Sequence, residues 1–165
     1  MIFNAKNDMK KADLPQIEIR SATAGDSAEI ATLYLASRKT FLPYAPIPHS
    51  DDSVRNWIKT TLIPSGRVDV AIIGDQIVGI CATSHDGRFS WIDQLYLRPS
   101  NIRHGIGTIL LENELAKLDR PVRLYTFQEN HPARRFYERF GFVPIQFGDG
   151  SENEENSPDV LYELA

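Results

Sequence analysis

From Gln16 the chain alternates apolar and polar positions through "QIEIRSA", the period-two pattern of a half-buried strand. The period then lengthens. Thr23 and Asp26 have the spacing of a capping box, with Asp in place of the usual Glu or Gln, and Ile30, Leu33 and Tyr34 form a helical stripe. "LPYAPIPHS" carries three prolines and reads as a loop. Ser50 is placed to cap a second helix, with Val54, Trp57, Ile58 and Leu62 on one face and a stop at "IPSG". Three strands follow: "RVDVAII", "QIVGICATS" and "FSWIDQLYL". Gly74-Asp75 joins the first two as a tight hairpin turn, and "HDGR" joins the next two. A helix with Leu111, Leu115 and Leu118 on one face comes next and ends before Pro121. "VRLYTFQ" is a strand. "NHPARRFYERF" is a short helix with Ala133, Phe136, Tyr137 and Phe140 on one face, closed by Gly141. "FVPIQF" and "DVLYELA" are the last strands, joined by the acidic loop "GDGSENEENSP".

The predicted order is β-α-α-β-β-β-α-β-α-β-β. It places the chain in the α/β class, of the α+β kind, with helices layered on a mixed sheet. There is no internal repeat and no linker that divides the chain. Residues 16–165 read as one domain, and residues 1–15 as a flexible N-terminal tail without the apolar stretch of a signal peptide.

Composition narrows the picture. A chain of 165 residues supports one domain with a real core. Its 42% apolar and 24% charged content is that of a soluble globular protein. A net charge of -4 gives no basic footprint for nucleic acid. No apolar run is long enough to span a bilayer. Cys81 stands alone, which excludes an intramolecular disulfide and fits a reducing cytoplasm. It lies in an apolar strand and reads as a core thiol. Trp57 and Trp91 read as packing residues. His49, His85, His104 and His131 show no metal-ligand spacing, so no metal site is expected.

The candidate chemistry begins at "NIRHGIGTILL". Gly105 and Gly107 stand where a helix starts, directly after a strand and behind Arg103 and His104. A helix N-terminus has unpaired N–H groups and a positive dipole end, so it receives anions. Two phosphate loops fail on their defining residues. Thr108 and Ile109 follow Gly107 where a nucleoside triphosphate loop needs lysine. Leu110 stands where a dinucleotide fingerprint needs a third glycine. A ligand-free turn softened by glycine accounts for the pattern equally well. One strand later, Asn130 reads as a helix cap, Tyr137 as a core aromatic with its hydroxyl at the edge, and Gly141 as the residue that closes the helix.

"LYLRPSNIRHGIGTILL" followed by "NHPARRFYERFGF" resembles the GNAT family of N-acetyltransferases, and the element order matches that fold from about Gln16 onward. The resemblance implies a mixed, mostly antiparallel sheet of about seven strands, splayed between the fourth and fifth and flanked by about four helices. It implies acetyl-CoA as co-substrate. The pyrophosphate maps to Arg103, His104, Gly105, Ile106, Gly107 and Thr108. The pantetheine arm maps to Leu95, Tyr96 and Leu97, with Asn130 and Phe136 beside it. Ile102 departs from the family, which often has Gln or Arg there, and removes one side-chain donor. Tyr137 maps to the acid that protonates the leaving thiolate. Asp93, just upstream of Leu95, is the candidate base, and it shares a face with Leu95 if no bulge intervenes.

The acceptor would bind between "FLPYAPIPHS" and "GDGSENEENSPD". Tyr44, His49 and Glu154 are its candidate contacts, with Asp149, Glu152, Glu155 and Asp159 drawing in a cationic amine by their field. The expected activity is acetyl transfer to a primary amine of a small molecule or peptide by direct attack. A non-catalytic acyl-CoA-binding regulatory domain, and an acyltransferase for a longer acyl group or a hydroxyl acceptor, are the alternatives. Homodimers are common in the family, so a second copy is a candidate partner.

Overall fold

The computed structural model describes residues 16–165; the tail expected at 1–15 lies outside the described residues. Its strands are β1 (Ile17–Ser21), β2 (Val68–Ile73), β3 (Gln76–His85), β4 (Ser90–Leu97), β5 (Val122–Phe127), β6 (Val143–Gly148) and β7 (Asp159–Leu164). The helices are α1 (Ser27–Phe41), α2 (Asp51–Trp57), α3 (Ile106–Leu115) and α4 (His131–Arg139). The expected element order holds throughout.

Local chemistry sets the helix starts. The Asp26 carboxylate accepts from the Thr23 N–H at 2.7 Å and from Arg20 at 2.8 and 3.0 Å. The Arg20 guanidinium holds that carboxyl down at about 2. The Ser50 hydroxyl accepts from the Ser53 N–H at 3.2 Å and caps α2. Beyond Trp57 the helix widens into a π turn, Ile58–Leu62, then tightens over Ile63–Ser65 and stops at Gly66, where φ is +74°.

The seven strands form one sheet in the order β1-β2-β3-β4-β5-β7-β6. Every neighbouring pair is antiparallel except β4 and β5, which run parallel. That pair is joined only at Ser90–Val122 and Trp91–Arg123. Beyond those residues the two strands part, as the resemblance implied. β6 is the outer edge, with Val143, Ile145 and Phe147 exposed.

Two cores form, one on each face. Ile30 and Leu33 of α1 and Ile58 pack on Val70 and Ile80. Ile106, Leu110 and Leu111 of α3 pack on Cys81, Val122, Leu124 and Tyr162. Burying each such Leu or Ile contributes roughly 1.5–3 kcal/mol. A Cβ at Gly79 of β3 would lie 2.8 Å from side-chain carbons of Leu110 and Leu97, so the glycine lets α3 sit against the sheet beside β4. The α3 face differs from the expected one. Leu111 is buried, but Leu115 and Leu118 are only partly covered, and Glu114 is buried in their place. Glu114 accepts from Asn113 and Lys117, each at 2.9 Å, and burial pushes its carboxyl up.

Candidate functional site

The turn from β4 into α3 bends twice through the left-handed region, at Arg103 (φ +62°) and at Gly105 (φ +78°). Arg103 carries a side chain there, at a cost of about 1–2 kcal/mol. The first α3 bond is Ile109 N–H to the Gly105 carbonyl at 3.1 Å. The amides of Gly105, Ile106, Gly107 and Thr108 therefore have no acceptor among the described residues. Successive amides turned this way make a concave anion seat at the positive end of the helix. Arg103 and His104 are exposed beside it, whereas the Ile106 side chain is core and contributes only its amide.

The two glycines do different things. A Cβ on Gly105 would meet nothing within 4 Å, so its side of the turn is open. A Cβ on Gly107 would lie 3.6 Å from Leu97 and from Phe136. Gly107 thus faces the groove between β4 and α4, not the open turn.

On the β5 side, β4 has no strand partner from Ile92 to Leu97. Its backbone edge is bare over the stretch expected to take the pantetheine arm. Leu95 and Leu97 pack toward α3 and α4, and Tyr96 packs toward α1. A bulge does intervene upstream. Ala82 pairs with Gln94 and Thr83 with Ile92, which leaves Asp93 as the extra residue. Asp93 therefore does not share the face of Leu95. It joins Gln94 and Tyr96 in lining a cleft over the splay. The protein around it partly desolvates its carboxyl and raises it from its ordinary value.

Asn130 caps α4: its Oδ1 accepts from the Ala133 N–H at 3.3 Å, and its Nδ2 has no partner among the described residues. Tyr137 is buried edge-on against Phe136 and Phe142, with ring centroids 5.2 and 5.8 Å away. Its hydroxyl makes no hydrogen bond among the described residues, and burial pushes its pKa far up. A phenol held protonated in this way has a proton to give and does not serve as a base.

The cleft measures about 1100 Å³. Its walls come from α1, the segment 47–57, β4, β5 and the β6–β7 connection. His49 and Glu154, expected separately as acceptor contacts, meet each other across its mouth at 2.8 Å. Tyr44 does not line the cleft. It packs edge-on against Phe127 at 6.4 Å, and burial pushes its hydroxyl up to about 12.

Sequence reasoning missed Arg38. Its guanidinium donates to the Glu155 carboxylate at 3.0 Å, to the Ala45 carbonyl at 2.9 Å and to the Tyr96 hydroxyl at 3.4 Å. It also lies 5.6 Å from the Phe127 ring centroid. One residue so bridges β4 and β5 across the splay. The signal was available: Arg38 falls four residues after Tyr34, on the apolar stripe of α1, where a cation needs a partner.

Among the described residues no group of His, Cys, Asp and Glu is placed to hold a metal ion, and no helix is long and apolar enough to cross a membrane.

Residues 30–142 match the model of the acetyltransferase (GNAT) family. No curated protein matches the chain. Similar solved structures include an acetyltransferase from Thermus thermophilus, at 18% identity and TM-score 0.73, covering 92% of this chain and 97% of that one. A GNAT-family acetyltransferase from Bacillus cereus has 18% identity and TM-score 0.71, with 90% and 96% covered. The PaiA N-acetyltransferase of Thermoplasma acidophilum, in complex with coenzyme A, has 21% identity and TM-score 0.71, with 90% and 98% covered.

Proposed function

The chain belongs to the GNAT family of acetyltransferases, and from that premise we propose that it transfers the acetyl group of acetyl-CoA to a primary amine. The observation that carries the reading is one juxtaposition: four unpaired amides at α3 follow directly on the bare β4 edge, beside a cleft that opens over the same splay. The residues fit the co-substrate. The open side of Gly105 leaves room for a phosphate oxygen against the Gly105–Thr108 amides, with Arg103 and His104 beside them. Ile102 adds no donor, so the backbone carries most of that contact. The free edge at Leu95, Tyr96 and Leu97 suits an extended amide arm, the Phe136 ring lies with Leu97 against Gly107, and the Asn130 Nδ2 at the start of α4 is a donor without a partner among the described residues.

When bound, acetyl-CoA supplies an acyl carbon activated as a thioester. Asp93 takes a proton from the acceptor ammonium, directly or through water, and its raised pKa makes it the better base. As the N–C bond forms and the C–S bond breaks, the nitrogen gives up its second proton through water, and Tyr137 protonates the departing thiolate and is reprotonated from solvent.

The test is release of CoA thiol from acetyl-CoA against a panel of amines, with Tyr137→Phe alongside. Turnover is expected to fall at least about 100-fold in the variant, with acetyl-CoA affinity by calorimetry unchanged. Unchanged turnover removes Tyr137 from the mechanism. Amine-independent thiol release, or none while acetyl-CoA still binds, overturns the transfer reading.

A further inference from the structure

We propose that the cleft selects an acceptor with two basic nitrogens: one reacts at the splay and the other stays charged at the acidic rim. This rests on the transfer reading above.

The first ground is chemical. The cleft lining carries six carboxylates (Asp93, Asp149, Glu152, Glu154, Glu155 and Asp159) and one guanidinium, that of Arg38. Glu155 is matched by Arg38 and Glu154 by His49. Asp93, Asp149, Glu152 and Asp159 form no ion pair among the described residues, though the Arg67 charge reaches Asp93. An amine must lose its proton to attack, and surrounding carboxylates favour the charged form. One of them, Asp93 in the bulge, suffices as base. Asp149 also accepts from Ser151 and Asp159 from Asn153 within their loop, but their charge has no cation beside it; that field keeps a lone amine protonated, and suits a second charge that does not react. A second ammonium on the same molecule also eases loss of the first proton, because like charges disfavour each other.

The second ground is the wall. Tyr96, Tyr125 and Phe127 present aromatic surface to the cleft, and Tyr125 lies stacked on Trp91 at 5.9 Å. Such a panel accepts an apolar spacer, and ring faces attract a cation. Phe127 already carries the Arg38 guanidinium near its ring.

The third ground is Arg38 itself. It is only 6% exposed, it stands between Tyr96 and Phe127, and its Nε–H has no partner. Glu155 matches its charge at 3.0 Å, so the cleft carboxylates left for an ammonium are those of Asp149, Glu152 and Asp159.

The experiment compares 1,5-diaminopentane with 1-aminopentane, by calorimetry on the protein saturated with CoA. The diamine is expected to bind at least about tenfold more tightly at low salt. The gap should narrow as salt is added. It should also close in Asp149→Asn/Glu152→Gln, with CoA affinity unaltered. Equal binding of the two amines, or binding of neither, overturns the proposal even if 1-aminopentane is acetylated. A diamine preference without transfer to any amine overturns the transfer reading alone.

Discussion

The α3 turn and the cleft meet at the splay of β4 and β5, and they are built in opposite ways. The turn offers backbone amides from one contiguous stretch, Gly105 to Thr108. The cleft offers side chains from α1, the 47–57 segment, β4, β5 and the β6–β7 connection. Amides are common to every sequence, so the turn keeps its chemistry as long as its conformation survives. Each side chain in the cleft is a separate choice. A site made this way keeps one ligand fixed while leaving the other open to change.

The largest effect expected on the cleft side concerns its two ion pairs. Glu155 matches a guanidinium that is nearly sealed, while the Glu154 side chain is 72% exposed. Glu155→Ala should cost about 3 kcal/mol in urea unfolding, because it strands the Arg38 charge. Glu154→Ala should cost less than about 1 kcal/mol. Equal losses would show that Arg38 does not organise the cleft.

A smaller effect lies under the same wall, where Asp26 starts α1. Its carboxyl is held at about 2 by Arg20, below the ordinary value near 4. The stability it contributes is complete above about pH 4 and is lost as pH falls through about 2. Screening at the exposed Arg20 limits it to about 2 kcal/mol. Unfolding of wild type and Asp26→Asn, followed from pH 5 to pH 2, should therefore converge at the acid end. Parallel curves would remove the pair from the account.

The smallest effect sharpens the other side. Gly105→Ala should cost about 1 kcal/mol for its left-handed backbone. The added methyl meets nothing within the protein. A loss of CoA affinity in a still-folded variant would then report a ligand at the turn, and unchanged affinity would move the phosphates elsewhere.

Most of the fold was legible because its signals are local. "QIEIRSA" alternates, Gly74-Asp75 turns between paired strands, Ser50 caps α2, and Asp26 closes a capping box with Thr23 on the turn that leads into α1, each through a neighbour within three residues. The α3 turn was legible for the same reason. The cleft was not. Glu155 meets Arg38 across 117 residues, and His49 meets Glu154 across 105. No pattern in either segment names its partner. Tyr44 shows the reverse case: a polar residue in the right loop that packs on Phe127 instead. Glu114 was readable as a carboxylate on an apolar face, but its partner Lys117 was not needed to complete the helix pattern.

The extra residue in β4 bears on how the chain tolerates gaps. Dropping one residue from a strand ordinarily turns every later side chain to the opposite face. At Asp93 the arithmetic differs. Ile92 and Leu95 both pack toward α3, with Asp93 and Gln94 together between them. Excising Asp93 would restore plain alternation and leave Leu95, Tyr96 and Leu97 facing as they do now. The proposed base is thus one of the two bulge positions, with Gln94, that a deletion can remove without rewriting the strand, so its chemistry can be gained or lost while the sheet is kept.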